Sequence, residues 1–270
     1  LAHVPADLNA DGLSAHVQGV VRHLRQAGAL PLAGVGTLAA EQLAQQLQSQ
    51  LGAALRERSA YPHLAERVLV DLPHTQVHVQ DAVAGVRAGE GGQMLLSLRA
   101  GKVADLVSKT AQALPEKLID ICLLSLATAA MGYPLVCVVV GRDAVLRLPP
   151  PEADQARAHW QVLLDTWAEG MRWPLPLPPG LALQWLKDKD RTHALVDVYE
   201  GSDFRRGELG KDLALARTYP TLDDVLATGA LERLAEAVYA PLKAWAAQAE
   251  VEPLPDAPGV PEGGAQEVQA

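Results

Sequence analysis

Asp81-Ala-Val-Ala-Gly-Val-Arg87, the glycine-rich Ala88-Gly-Glu-Gly-Gly92, and Met94-Leu-Leu-Ser-Leu-Arg-Ala-Gly101 together decide the fold. Apolar residues alternate with small or polar ones on both sides of the glycines, a period of two that marks strands. The stretch therefore reads as a β-hairpin closed by a glycine turn. Upstream, 67–71 and 75–80 alternate in the same way around Pro73-His74, so four successive antiparallel strands are expected at 67–71, 75–80, 82–87 and 94–99. Downstream, 114–131 reads as an apolar helix ended by Gly132-Tyr-Pro134, and 135–140 (Leu-Val-Cys-Val-Val-Val) as a buried strand. Gly141-Arg-Asp143 then turns the chain into a further strand at 144–148.

Helical patterning flanks this core. Residues 9–26 carry Leu13, Val17, Val20, Val21 and Leu24 at helical spacing, with Gly28 as a stop. Residues 37–58 carry Leu38, Leu43, Leu47, Leu51 and Leu55, with Thr37 as expected N-cap. Helices are also expected at 152–171, 181–187, 192–199 and 231–247, separated by an extended Pro-rich passage at 174–179 and a polar, charged loop at 201–210. The architecture is α+β: a mixed sheet flanked by helices, with additional N- and C-terminal helices. It divides into an N-terminal helical segment (1–60), a core unit (61–250) and a flexible acidic, Pro/Gly-rich tail (251–270).

Apolar residues make up 49% of the 270, enough for a sizeable core, and with a single Phe the packing falls to Leu, Ala and Val. The net charge of −9 argues against a free-standing nucleic-acid binder. Residues 84–150 depart from that balance, with seven Lys/Arg against five Asp/Glu, and they contain the hairpin. Cys122 and Cys137 sit far apart in apolar runs, which points to a reducing, cytoplasmic setting and to buried residues rather than nucleophiles. The longest apolar run, 119–131, is too short to span a bilayer, so no membrane is expected as a partner. The chain opens Leu-Ala-His-Val-Pro without Met and reads as a fragment of a longer protein. It contains no GxxxxGK[ST] phosphate loop, so no ATP-driven motor is encoded.

The hairpin resembles the one that carries the metal-binding carboxylates and lysine of PD-(D/E)xK nucleases. Such a site needs two carboxylates to hold Mg²⁺ and a lysine two residues after the second. The corresponding positions are Ala84, Ser97 and Arg99. Serine is a poor ligand for a hard cation, and arginine does not deprotonate to assist a water. Asp81 lies three residues from the aligned position, on the opposite face of a strand. At least two of Asp81, Glu90 and Asp105 would have to converge to rebuild a metal site. The expected catalytic and metal residues are therefore none. Arg87, Arg99, Lys102 and Lys109 either form a phosphate-facing strip or are ordinary solvated cations. Arg205 and Arg206 are expected to pair locally with Glu200, Asp203 and Glu208. His74 and His78 stand four apart, but in a strand context they do not share a helical face, and no zinc site is expected there.

Farther along, Glu169-Gly-Met-Arg-Trp-Pro-Leu-Pro-Leu177 with Leu183-Gln-Trp-Leu186, and Tyr199-Glu-Gly-Ser-Asp-Phe-Arg-Arg-Gly-Glu208, resemble the C-terminal region of the RecC family, gamma subunits of exodeoxyribonuclease V (RecBCD). The motif residues are Glu169, Gly170, Pro174, Tyr199, Glu200, Gly201, Arg206, Gly207 and Glu208. Leu24-Arg-Gln-Ala-Gly-Ala-Leu-Pro31, Ala216-Arg-Thr-Tyr-Pro220 and Val238-Tyr-Ala-Pro-Leu242 fit the same pattern, so the resemblance spans 13–247. It implies a restriction-endonuclease-like domain without catalysis of its own, in a complex that repairs double-strand breaks by homologous recombination. It also implies RecB-like and RecD-like partners, contact with double- and single-stranded DNA, and no cofactor in this chain, Mg²⁺ and ATP being used by the partners. The alternatives are a metal-dependent nuclease with a displaced acidic site, and a protein-interaction module without DNA contact, which the −9 charge favours.

Overall fold

The computed structural model describes residues 8–107, 110–203 and 205–255. Helix α1 (Ala10–Gln26) starts at Asn9, whose side chain accepts the Gly12 N–H at 2.8 Å, and ends before Gly28 at φ 70°. Helix α2 (Ala33–Ala60) begins a turn earlier than the Thr37 cap would have it. Thr37 lies inside the helix with its hydroxyl donating back to Ala33 O at 3.4 Å. The two glycines at 34 and 36 hide this first turn from propensity. Leu51 and Leu55 are buried against α1, but Leu38 is 56% exposed, so the expected apolar stripe begins later than its first leucine.

Strands β1 (His63–Leu64), β2 (Val68–Pro73), β3 (His78–Val83), β4 (Val86–Gly89) and β5 (Gly92–Leu98) follow. The four expected strands are thus all present in kind, but they do not form one run. β2 and β3 pair only with each other, and β3 starts three residues later than predicted because the turn occupies 74–77. Gly85, at φ 78°, separates β3 from β4. Short β6 (Ala104–Asp105) and β7 (Gln112–Ala113) pair, and a 3₁₀ turn at Pro115–Lys117 leads into α3 (Ile119–Ala130). That proline-started turn shortens the helix expected at 114–131. Strands β8 (Val136–Val140) and β9 (Ala144–Leu148) then lie where the apolar runs placed them.

Five helices come next: α4 (Ala153–Gly170), α5 (Pro179–Lys187), α6 (Thr192–Tyr199), α7 (Leu213–Thr218) and α8 (Leu222–Ala227). Between α6 and α7 lies the two-residue ladder of β10 (Gly201–Ser202) and β11 (Arg205–Arg206). Helix α9 (Leu231–Leu234) runs through a π-turn at Ala235–Tyr239 into α10 (Ala240–Ala246). The last strand, β12 (Glu250–Pro253), is a correction: residues from 251 read as tail, yet Glu250 to Pro253 pair antiparallel with Arg147 to Ala144, and Leu254 is buried. The acids hide this strand in the sequence. In the structure Glu252 lies 2.7 Å from the Arg147 guanidinium, which also holds Glu57 of α2.

The main sheet runs β1-β4-β5-β8-β9-β12. Its pairs are antiparallel except β5 with β8, which are parallel in the register Met94↔Val136 to Leu98↔Val140. A parallel pair needs a crossover, and α3 lies on it. One face packs on α3, α4 and the α9–α10 run through Leu95, Cys137, Val139, Leu146 and Leu148. The other face puts Met94, Val138, Val140 and Val145 against Ala53 and Ala54 of α2. This is an α+β fold with a mixed sheet flanked by helices, compatible with a nuclease-like architecture. No helix of the described residues is long and apolar enough to cross a membrane.

Candidate functional site

The parallel strands β5 and β8 leave the sheet side by side, and their ends build one charged corner. Arg99 N donates to Val140 O at 2.9 Å, and Arg142 N donates to Gly101 O at 3.0 Å. Gln50 of α2, fully buried, donates its amide to Arg99 O at 2.6 Å and to Val140 O at 3.2 Å, tying the helix across both strand ends. The Arg99 guanidinium lies 2.5 Å from the Asp120 carboxylate in the first turn of α3. Asp120 also accepts the Ile121 N–H at 2.9 Å. Arg99 therefore faces an internal carboxylate.

Ser97, on β5, is registered with Val139 of β8. Ala84 lies between β3 and β4, exposed and outside both ladders: the β4–β5 pairing starts at Val86↔Leu95. The three acids of which a displaced metal site would need at least two stand on separate pieces. Asp81 pairs with Val70 in the β2–β3 hairpin and accepts the Ala82 N–H at 2.7 Å. Glu90 sits in the β4–β5 turn, and Asp105 on β6 accepts the Val107 N–H at 3.0 Å. Among the described residues no group of three or more His, Cys, Asp or Glu is arranged to hold a metal ion.

Of the four candidate cations, Arg87 is tied down. Its Nε donates to Tyr61 O at 2.7 Å and a terminal nitrogen to Pro62 O at 2.6 Å, where α2 hands over to β1. Burial and the nearby Arg58 both lower its pKa. Lys102 is exposed at the charged corner, and Lys109 lies outside the described residues. The histidines serve other ends: His74 Nε2 lies 3.0 Å from Asp165 of α4, and His78 contacts Asp71 across the β2–β3 hairpin. Cys122 and Cys137 are both buried and free, and burial pushes their thiols up to about 12 and about 11, which keeps them protonated and poor nucleophiles.

The segment 199–208 has a different character from the expected charged loop. Tyr199 is fully buried and its hydroxyl donates to Tyr219 O at 2.6 Å. The Glu200 carboxylate accepts the Leu222 N–H at the start of α8 (2.8 Å), and Glu208 accepts the Gly180 N–H at the start of α5 (3.0 Å). Both acids complement the positive ends of helices. Gly201 has φ 97°, and a Cβ on Gly207 would come within 2.4 Å of the Glu200 and Gly201 backbone. Arg206 lies over Gly210, where a Cβ would meet its stem at 2.7 Å. Glu169 pairs with Arg233 through two contacts, at 2.7 and 3.2 Å, a Cβ on Gly170 would meet Leu175 at 3.2 Å, and Pro174 O accepts the Tyr219 hydroxyl at 2.6 Å. These residues knot α4, α5, α6 and α8 together.

Sequence reasoning passed over Gln50, Asp120, Arg142 and Asp143. The carboxylate of Asp143, a residue 1% exposed, accepts the Val103 N–H at 2.9 Å and the Ala104 N–H at 3.4 Å. The signal for Asp143 was the Gly-Arg-Asp turn itself. Gln50 and Asp120 pair with residues dozens of positions away or on another element, and no local pattern marks them.

A family model for the RecC C-terminal domain matches residues 5–190, which takes in the sheet except β12, the charged corner, and Glu169, Gly170 and Pro174. No curated protein matches the chain. With the greater part of its length matched across the helix–sheet core, the chain belongs to the RecC C-terminal domain family.

Proposed function

We propose that this chain serves a RecC-like subunit of the RecBCD helicase–nuclease as a non-catalytic domain. It scaffolds the RecB-like and RecD-like subunits and guides or splits duplex DNA during double-strand-break repair in the cytoplasm. The family match supports membership in the exodeoxyribonuclease V complex. The observation that carries the non-catalytic reading is the Arg99–Asp120 pair at the end of β5. A nuclease of this shape needs carboxylates there whose charge is open to a divalent cation, and a lysine to assist water. Here Ser97 brings no charge, and the Arg99 guanidinium already pairs with Asp120.

Mg²⁺ and ATP then belong to the partner subunits, and the role left to this chain is binding. DNA backbone contact requires cations that are not committed within the protein. Arg99 and Arg87 are each committed to protein oxygens, so Lys102 is the best placed of the candidates among the described residues. Size-exclusion chromatography of the chain with RecB-like and RecD-like subunits tests the scaffolding role. Co-elution in one peak is the expected result, and separate elution at micromolar concentration overturns it.

A further inference from the structure

The turn between β8 and β9 is built to present one side chain. Gly141 approaches the neighbouring segment so closely that a Cβ there would lie 2.4 Å from Val103 Cγ2. Asp143 is buried and clamps Val103 and Ala104 by their N–H groups. Its own carbonyl accepts the Leu254 N–H at 2.8 Å, and Arg142 N is held by Gly101 O at 3.0 Å. The turn is thus held by four hydrogen bonds, to two different stretches of chain, 101–104 and Leu254. Gly141 and Asp143 are buried, and Arg142 between them is partly exposed.

Arg142 has no ion-pair or side-chain hydrogen-bond partner among the described residues, and its Nε is buried without one. Lys102 follows Gly101, the residue that holds the Arg142 backbone, and is also without an ion pair among them. Beside this pair of cations, Asp120 is neutralised by Arg99, and the Asp143 carboxylate faces inward to backbone N–H groups. These two acids are therefore occupied.

From this we infer that Arg142, together with Lys102, is the DNA phosphate-contacting element of the domain, and that Arg99 is a positioning residue that silences Asp120. The inference rests on the reading of the chain as a DNA-guiding RecC domain and moves the contact from the hairpin to the β8–β9 turn. A guanidinium held on a rigid turn loses little freedom on meeting a phosphate and can bond it through two nitrogens.

The test is fluorescence anisotropy of a labelled forked duplex with the whole 270-residue chain over a series of salt concentrations. Arg142→Gln and Lys102→Gln are compared with Arg157→Gln, whose exposed pair with Asp154 lies on α4. Arg142→Gln is expected to weaken binding about three- to tenfold at moderate salt and to lower the salt slope by about 1. Lys102→Gln should act in the same direction and Arg157→Gln should leave both unchanged. Arg142→Glu, with an unaltered thermal melt, should weaken binding further. Wild-type binding that is untouched by Arg142→Gln and Arg142→Glu overturns this inference alone. A wild-type chain that does not bind the fork at low salt overturns the DNA-guiding reading and the inference together.

Discussion

Residues 99–103 with 141–143 form one charged corner of the molecule, and residues 199–203 with 205–208 form another. Their compositions look alike: each mixes arginines, acids and glycines in a short stretch. In the second corner, Glu200 and Glu208 receive the first N–H groups of α8 and α5, and glycine 207 packs against backbone. Those two acids are part of the architecture. In the first corner the acids are likewise absorbed, Asp143 by backbone and Asp120 by Arg99, but Arg142 and Lys102 are left over. A charged segment is therefore informative about function only after its internal partners have been subtracted, and in the first corner Arg142 and Lys102 remain.

That contrast can be broken in order of effect. Asp143→Ala leaves two buried N–H groups without an acceptor and should cost about 3 kcal/mol of stability in chemical denaturation, since buried donors left unmade are expensive. A loss under 1 kcal/mol would mean that the turn is not clamped as described. Gly207→Ala forces a Cβ into backbone at 2.4 Å and should cost about 1–3 kcal/mol, lowering Tm with no selective effect on DNA affinity. Tyr199→Phe removes the bond to Tyr219 O and should cost about 1 kcal/mol. Arg99→Ala, which breaks a partly exposed pair, should cost well under 1 kcal/mol. If Arg99→Ala destabilises more than Tyr199→Phe, the two corners have been assigned the wrong way round.

Acid offers a smaller and smoother test. Burial lowers the pKa of His159 on α4 from its ordinary 6.5, against an opposing hydrogen bond with the Val238 backbone. The unfolded chain then binds more protons than the folded one between the folded pKa and 6.5, so stability falls as pH is lowered through this window. Hydrogen bonding from Arg147 lowers the pKa of Glu252 below its ordinary 4.5, so its contribution is present above that value and is lost as pH falls through the folded pKa. Urea midpoints measured from pH 7.5 to 5 should decline, and His159→Gln should flatten the decline. An unchanged slope in that variant would assign the decline to other groups.

Much of this fold was legible because the apolar patterns were long. The run at 135–140 and the alternation at 144–148 give β8 and β9, and Asn9 with Gly28 brackets α1. The β2–β3 register slipped because His, Gln and Val alternate through 75–83, and any of several frames satisfies a period of two. Gly85 was the available boundary marker. Helix α8 also carried its own signal, the Thr221–Asp224 capping box, but at six residues it gives no periodicity to notice. β12 was hidden because its glutamates look solvated, whereas Glu252 is drawn in by Arg147. That Arg99 meets Asp120, and that Gln50 ties both strand ends, depends on tertiary neighbours that no local spacing encodes.

The central claim is that this corner holds DNA and does not cut it. It is tested most directly by incubating the chain with an end-labelled forked duplex and Mg²⁺, then resolving one half of the sample on a native gel and the other on a denaturing gel. The account predicts a shifted complex on the native gel and full-length strands on the denaturing one. Shortened strands that disappear when Asp81→Ala replaces the wild type would contradict it.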